Sequence, residues 1–163
     1  MGPRSPHVVL VAPEIPPNTG NIGRLCLAAG STLHLVRPLG FDLDSRSLQR
    51  AGLDYWPEVD VRLWDRLSDL EEAVGPGARF HYLTTKSDRP YWEAAFEADD
   101  YLVFGAESRG LPESLLKRHS ERCLTIPMQE KARSLNLATA VGIVLYEAVR
   151  QITGRRDARP GPA

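Results

Sequence analysis

One segment constrains this chain more than any other: His7-Val8-Val9-Leu10-Val11-Ala12 is short, apolar without alternation, rich in β-branched residues and stopped by Pro13. A strand with no polar side must be covered on both faces, which is the condition of a parallel sheet sandwiched between helices. The remaining pattern agrees. TLHLV (32–36), RFHYLTT (79–85), DYLVFG (100–105) and CLTI (123–126) read as further strands. Between them, residues 45–51, 64–74, 112–119 and 135–152 read as helices, with Gly75-Pro76-Gly77 stopping the second. Alternation of this kind, in a chain whose 163 residues suit one domain, predicts an α/β fold: a single domain, mostly parallel sheet, helices on both faces. We take residues 1–153 as that domain and expect the Arg-, Pro- and Gly-rich stretch 154–163 to be a disordered tail.

Three polar, glycine-bearing loops follow predicted strands. In the first, residues 13–24, three prolines hold the backbone extended, and Asn18 or Thr19 is placed to cap a helix carrying Ile22, Leu25, Cys26 and Ala29, with Gly30 as its stop. The second, 105–112, has Gly105 and Gly110 for close backbone approach and Glu107 and Arg109 for charge. The third, 126–136, brings Ser134 and Asn136 to the start of the last helix. Loops at the carboxyl ends of parallel strands, beside helix N-termini, form a ligand crevice.

Several chemistries are excluded. There is no HExxH, no GxSxG and no GxGxxG opening a helix; Gly105 to Gly110 has phosphate-loop spacing, but Leu111-Pro112 stands where Lys-Ser/Thr is required. Cys26 and Cys123 have no neighbouring Cys or His and read as buried apolar residues, so no metal is expected. His7, His34, His81 and His119 share no spacing and read as structural. The apolar run near the N-terminus is too short for a signal or membrane segment, which predicts a cytoplasmic protein and no membrane partner. The formal net charge of -1 removes a whole-protein basic field, so any RNA contact must use a local patch such as Lys117-Arg118, Lys131 with Arg133, or the basic stretch 150–159.

The last predicted helix is apolar nearly all round. Leu135, Leu137, Ala138, Ala140, Val141, Ile143, Val144, Leu145, Ala148, Val149 and Ile152 leave only a thin polar stripe, so it must be covered on two sides. A second subunit supplies that cover in a chain this small, and we expect a homodimer; burial within one subunit is the other solution.

The segments PEIPPNTGNIGRLC (13–26), DYLVFGAESRGLP (100–112) and IPMQEKARSLNLATAVGIVLYEAVRQ (126–151) resemble, in order and over about residues 7–152, the three motifs of SPOUT-superfamily RNA 2′-O-ribose methyltransferases. The similarity is strongest to the minimal enzymes of the TrmL/YibK type, which act on the tRNA wobble position. The resemblance implies a C-terminal trefoil knot, S-adenosylmethionine as methyl donor, S-adenosylhomocysteine as product, a homodimer, and methylation of the ribose 2′-hydroxyl of nucleotide 34, a cytidine or modified uridine, in leucine-type tRNAs. Nothing in the spacing of elements shows a knot, and the usual rules of chain connection disfavour one.

Residue by residue, the resemblance places the cofactor against Leu83, Gly105, Ile126 and Ser134, gives catalytic roles to Arg24 and Asn136, and leaves Asn18, Glu107, Arg109 and Arg133 to contact substrate. Relatives commonly read Ser-Arg-Ser-Leu-Asn where this chain has Ala132-Arg133-Ser134-Leu135-Asn136, which puts one hydroxyl contact in doubt. A guanidinium with a pKa above about 12 is a poor base, so Arg24 is assigned to phosphate clamping and alkoxide stabilisation, with phosphate or water taking the proton. Two other readings stay open: a 2′-O-methyltransferase acting on ribosomal RNA, and a non-catalytic RNA-binding or assembly module.

Overall fold

The computed structural model describes residues 5–43, 46 and 53–157. Six strands, β1 (His7–Val11), β2 (Leu33–Val36), β3 (Val61–Trp64), β4 (Phe80–Leu83), β5 (Tyr101–Phe104) and β6 (Cys123–Leu124), form one sheet in the order β3-β2-β1-β5-β4-β6. Every pairing is parallel. The α-helices described in full are α1 (Pro16–Ala29), α2 (Leu67–Val74), α3 (Glu113–Arg118) and α4 (Leu137–Asp157).

The apolar run that opens the sequence is a central strand, buried on both faces as its composition requires. Val8 and Leu10 join Leu33, Leu35, Leu102 and Phe104 on one face, covered by Ile22 and Cys26 of α1 and by Val141, Val144, Leu145 and Ala148 of α4. Val9, Val36, Tyr82 and Val103 face the other way, against Leu70 of α2 and Leu115 and Leu116 of α3. Helices therefore cover both faces of a parallel sheet.

Four details differ from the sequence expectation. Helix α1 begins at Pro16, ahead of Asn18, because the first helical positions have no acceptor for their N–H groups and proline loses nothing there. Strand β3 was not anticipated. Among the described residues it lies at the sheet edge and pairs only with β2, and its Arg62 and Leu63 are exposed, so it lacks the apolar run of a central strand; α2 accordingly starts at Leu67 and not at Trp64. A 3₁₀ turn at Leu53–Glu58 brings Trp56 against Gly23, where a β-carbon would lie 2.6 Å from the indole. Finally, α4 continues through Gly154 to Asp157, so the expected tail starts too early: residues 154–157 are helical, and 158–163 lie outside the described residues. The helix expected over 45–51 also lies outside them, except for Arg46.

Strand order now places the loops. From β1 the chain builds one side of the sheet through β2 and β3, then crosses to the other, laying down β4, inserting β5 between β4 and β1, and adding β6 outside β4, so the direction of winding changes between β1 and β5. The loop after β1 and the loop after β5 leave adjacent strands at the same end. That reversal point is where open α/β sheets hold ligands.

Candidate functional site

A cavity of about 360 Å³ opens at this end of the sheet. Its wall comes from Leu83 to Lys86 after β4, Gly105 to Leu111 after β5, Thr125, Ile126 and Met128 after β6, Arg133 to Leu135, and Leu137 and Ala140 of α4. That volume falls within the ~300–1,000 Å³ typical of small-molecule sites. Gly105 is required by the turn that forms the second loop: a β-carbon there would lie 2.1 Å from the Gly110 carbonyl carbon and 2.3 Å from the Leu111 nitrogen. Gly110 closes the same turn with φ of 67°, its N–H donating to the Ala106 carbonyl at 2.8 Å.

The three loops are tied together by side chains distant in sequence. Glu107 accepts hydrogen bonds from the Glu14 amide (2.9 Å), the Ile15 amide (2.7 Å) and Asn18 Nδ2 (3.3 Å). Ile15 is the N-cap of α1 and cannot cap with its own side chain, while Pro16 and Pro17 have no N–H. The carboxylate therefore serves the last donors before the helix, and its charge suits the helix N-terminus. Glu14 Oε1 accepts in return from the Ser108 amide (2.9 Å) and hydroxyl (2.6 Å). These two bonds hold the Glu14 carboxyl below the usual carboxylate range. The third loop joins through Asn136, whose Nδ2 donates to Asn18 Oδ1 at 3.0 Å and whose Oδ1 caps α4 at the Ala138 and Thr139 amides.

Leu83, Gly105, Ile126 and Ser134, the four residues carried over as cofactor contacts, all line the cavity, and so do Glu107, Arg109 and Arg133. Asn18 and Asn136 lie outside the wall, bonded to each other beside it. Arg24 is exposed on α1, away from the cavity lining. Ala132 is exposed and also outside the wall. Thr84, Thr85, Lys86, Ser108 and Met128 were not singled out from sequence; the predicted strand ran through Thr85, whereas the observed one ends at Leu83 and leaves Thr84 to Lys86 in a ligand-facing position. None of the four histidines lines the cavity. His81 bonds buried Asp100 at 2.8 Å, His119 stacks on Tyr82, and His34 accepts from Trp64 Nε1 while facing His7 at 2.9 Å. Burial pushes the Cys26 thiol up to about 12, which suits a packed apolar residue and not a nucleophile.

The family model of the SpoU rRNA Methylase family matches residues 5–146. A tRNA (cytidine(34)-2'-O)-methyltransferase of Aeromonas hydrophila is 47% identical over 146 residues, a match spanning 89% of this chain and 93% of the relative. A solved structure described as giving structural insights into the 2-OH methylation of C/U34 on tRNA is 53% identical with a TM-score of 0.90, covering 94% of this chain and 100% of its own. An AdoMet-bound rRNA methyltransferase from Sinorhizobium meliloti is 26% identical with a TM-score of 0.79; the match covers 98% of this chain but 59% of that one. With the family model running from before β1 into α4, and near-full-length relatives at this identity, the chain belongs to the SpoU methylase family.

Proposed function

We propose that this protein transfers a methyl group from S-adenosylmethionine to the ribose 2′-hydroxyl of nucleotide 34 in tRNA, with leucine-type tRNAs as its substrates. The observation that carries this reading is end-to-end coverage: the tRNA-modifying relatives match this chain over 93% and 100% of their own lengths, whereas the rRNA-modifying one has two-fifths of its chain outside the match. The cavity supports a small-molecule cofactor, since backbone from three strand ends meets there and Gly105, packed against the Gly110 and Leu111 backbone, lets the second loop fold tightly at its wall. The bound cofactor supplies a methyl group on a sulfonium, a leaving group that needs no metal to depart.

In this reading Leu83, Gly105, Ile126 and Ser134 hold the cofactor and fix the direction of approach. Arg109 and Arg133, from two different loops of the cavity wall, face the RNA phosphates as planar, bidentate donors. Arg24 stabilises charge developing on the 2′-oxygen, and Asn136, anchored at the start of α4, orients the reacting groups. The proton leaves to phosphate or water. We further propose a cytoplasmic homodimer whose surface joins the basic spots of two subunits, and the C-terminal knot implied by the resemblance. Support for the dimer comes from exposed Leu27 of α1 and Tyr146 of α4, on two helices that pack together.

Mass-spectrometric mapping of 2′-O-methyl nucleosides, in tRNA incubated with purified protein and cofactor, tests the reading. Methylation at nucleotide 34 is expected. Modification elsewhere with nucleotide 34 untouched, or folded protein that binds no cofactor, would overturn it.

A further inference from the structure

Glu14 lies at the seam between the first and second loops, and its backbone is held independently of its carboxylate. The Glu14 amide donates to Glu107, the Pro13 carbonyl accepts from the Gly40 amide at 2.9 Å, and bare Gly40 sits so close that a β-carbon would come within 2.7 Å of the Glu14 carbonyl oxygen. The side chain is then free to do one thing. A single oxygen, Oε1, takes both the amide and the hydroxyl of Ser108. Ser108 immediately precedes Arg109, and both line the cavity.

We propose that Glu14 is a positioning residue for RNA: by pinning Ser108 it fixes the backbone from which Arg109 reaches towards a phosphodiester of the substrate. Pinning the residue before Arg109 limits the volume its side chain must give up on binding, so part of the ordering cost is met before RNA arrives. The cofactor contacts stand apart from this arm. Leu83, Gly105, Ile126 and Ser134 make no bond to the Glu14 carboxylate, and Glu107 holds loop one through the Glu14 and Ile15 amides and Asn18 Nδ2, none of which belongs to the Glu14 side chain. The consequence is a split effect: RNA affinity depends on the Glu14 carboxylate, and cofactor affinity does not.

The inference rests on the RNA-methylating reading, and its test separates the two. Loss of two hydrogen bonds to an ionised group should raise the half-saturating tRNA concentration of Glu14→Ala about ten-fold, with the single-turnover rate at saturation and the cofactor Kd changed less than about two-fold. Glu14→Gln keeps an oxygen at the same place and should restore most of the affinity. Ser108→Ala, which leaves the amide bond intact, should give a smaller rise, and adding it to Glu14→Ala should add nothing. Hydrogen exchange at the Ser108 amide should quicken in Glu14→Ala, a readout that needs neither RNA nor turnover. Unchanged exchange at Ser108 would overturn the clasp. Tighter RNA binding by Glu14→Ala would instead show that the carboxylate occupies a phosphate site, and equal losses in cofactor and RNA affinity would make Glu14 merely structural; either overturns the proposal. A wild-type protein inactive on every tRNA, with exchange at Ser108 quickened as expected, would overturn the wobble reading alone.

Discussion

Replacing Gly105 with alanine is the most severe small change this site can suffer. The added carbon meets three backbone atoms, the Gly110 carbon at 2.1 Å, the Leu111 nitrogen at 2.3 Å and the Gly110 oxygen at 2.5 Å, and backbone cannot swing aside as a flexible side chain does. Normal carbon contacts lie near 3.5–4.0 Å, so the far limb of the turn must retreat by about 1 Å or more. That movement breaks the bond from the Gly110 amide to the Ala106 carbonyl, 2.8 Å long. Overpacking costs about 1–3 kcal/mol and a lost backbone hydrogen bond about 0.5–1.5, together about 3 kcal/mol. For a chain of this size that lowers Tm by about 6–12 °C. Two other glycines serve as controls. At Gly110 an alanine carbon meets nothing within 4 Å, but φ is +67°, so Gly110→Ala should cost only the left-handed strain of about 1–2 kcal/mol. At Gly77 there is neither crowding nor positive φ, and Gly77→Ala should stabilise by about 0.4–1 kcal/mol by restricting the unfolded chain. Urea denaturation of the three variants, with calorimetric titration of S-adenosylmethionine, measures the series; Gly105→Ala should also lose most cofactor affinity. If Gly105→Ala proved as stable as Gly110→Ala, the turn would be opening cheaply and the close approach would not be holding the cavity in shape.

Other consequences are equally measurable. Arg24→Ala should fold normally and bind cofactor, yet slow the single-turnover rate about 10²–10³-fold, as removal of one transition-state donor does elsewhere; an unchanged rate would remove Arg24 from the chemistry. Burial, with His7 and Arg62 nearby, lowers the His34 pKa from 6.5 to about 3, so the folded state holds it neutral while the unfolded chain takes up a proton. Its stabilising contribution is therefore present above pH 6.5 and lost as pH falls towards 3: about 2 kcal/mol should vanish between pH 7.5 and 5, and His34→Gln should flatten that slope in urea melts. If the proposed dimer forms, Leu27→Asp combined with Tyr146→Asp should convert it to an 18.1 kDa species in sedimentation, and a wild-type protein already monomeric at micromolar concentration would refute it.

What could be read from sequence was what burial writes into local composition. Val8 to Leu10, Leu33 to Val36 and Tyr101 to Phe104 are buried on both faces, so each is apolar nearly throughout, with His34 the one strongly polar side chain, and that composition declares a central parallel strand. Strand β3 carries no such mark, because an edge strand is paired on one side only and Arg62 and Leu63 face solvent. The end of α4 was placed too early for a related reason: Gly154 and the charged residues after it suit a helix terminus by propensity, yet Gln151 bonds the Phe96 amide and Ala94 carbonyl, and Arg155 bonds the Phe96 carbonyl, so contacts with a distant segment carry the last turns.

The polar frame of the site lies further from what a single sequence can declare. Loop composition and strand position single out Gly105, Ser134 and Asn136, since each stands at a strand end or a helix start; the first two line the cavity and Asn136 lies outside its wall. Glu107, which the resemblance leaves to contact substrate, lines the cavity and also engages both its oxygens with loop one. That second role was not legible in the sequence, for a physical reason. A carboxylate in a polar, glycine-bearing loop shows no structural partner in the sequence, because its partners, two backbone amides and one asparagine, are separated from it by about ninety residues of chain. They meet only because β1 and β5 are neighbours in the sheet, a pairing made by strand order and not by any local pattern. The polarity of the frame then follows from its ends. Amides at the start of α4 must donate and the Glu107 carboxylate must accept, so Asn136 and Asn18 between them have one orientation each. Replacing Asn18 with aspartate would set two carboxylates face to face while preserving shape. The cost would fall on all three loops at once, which is the sense in which these side chains form a single unit.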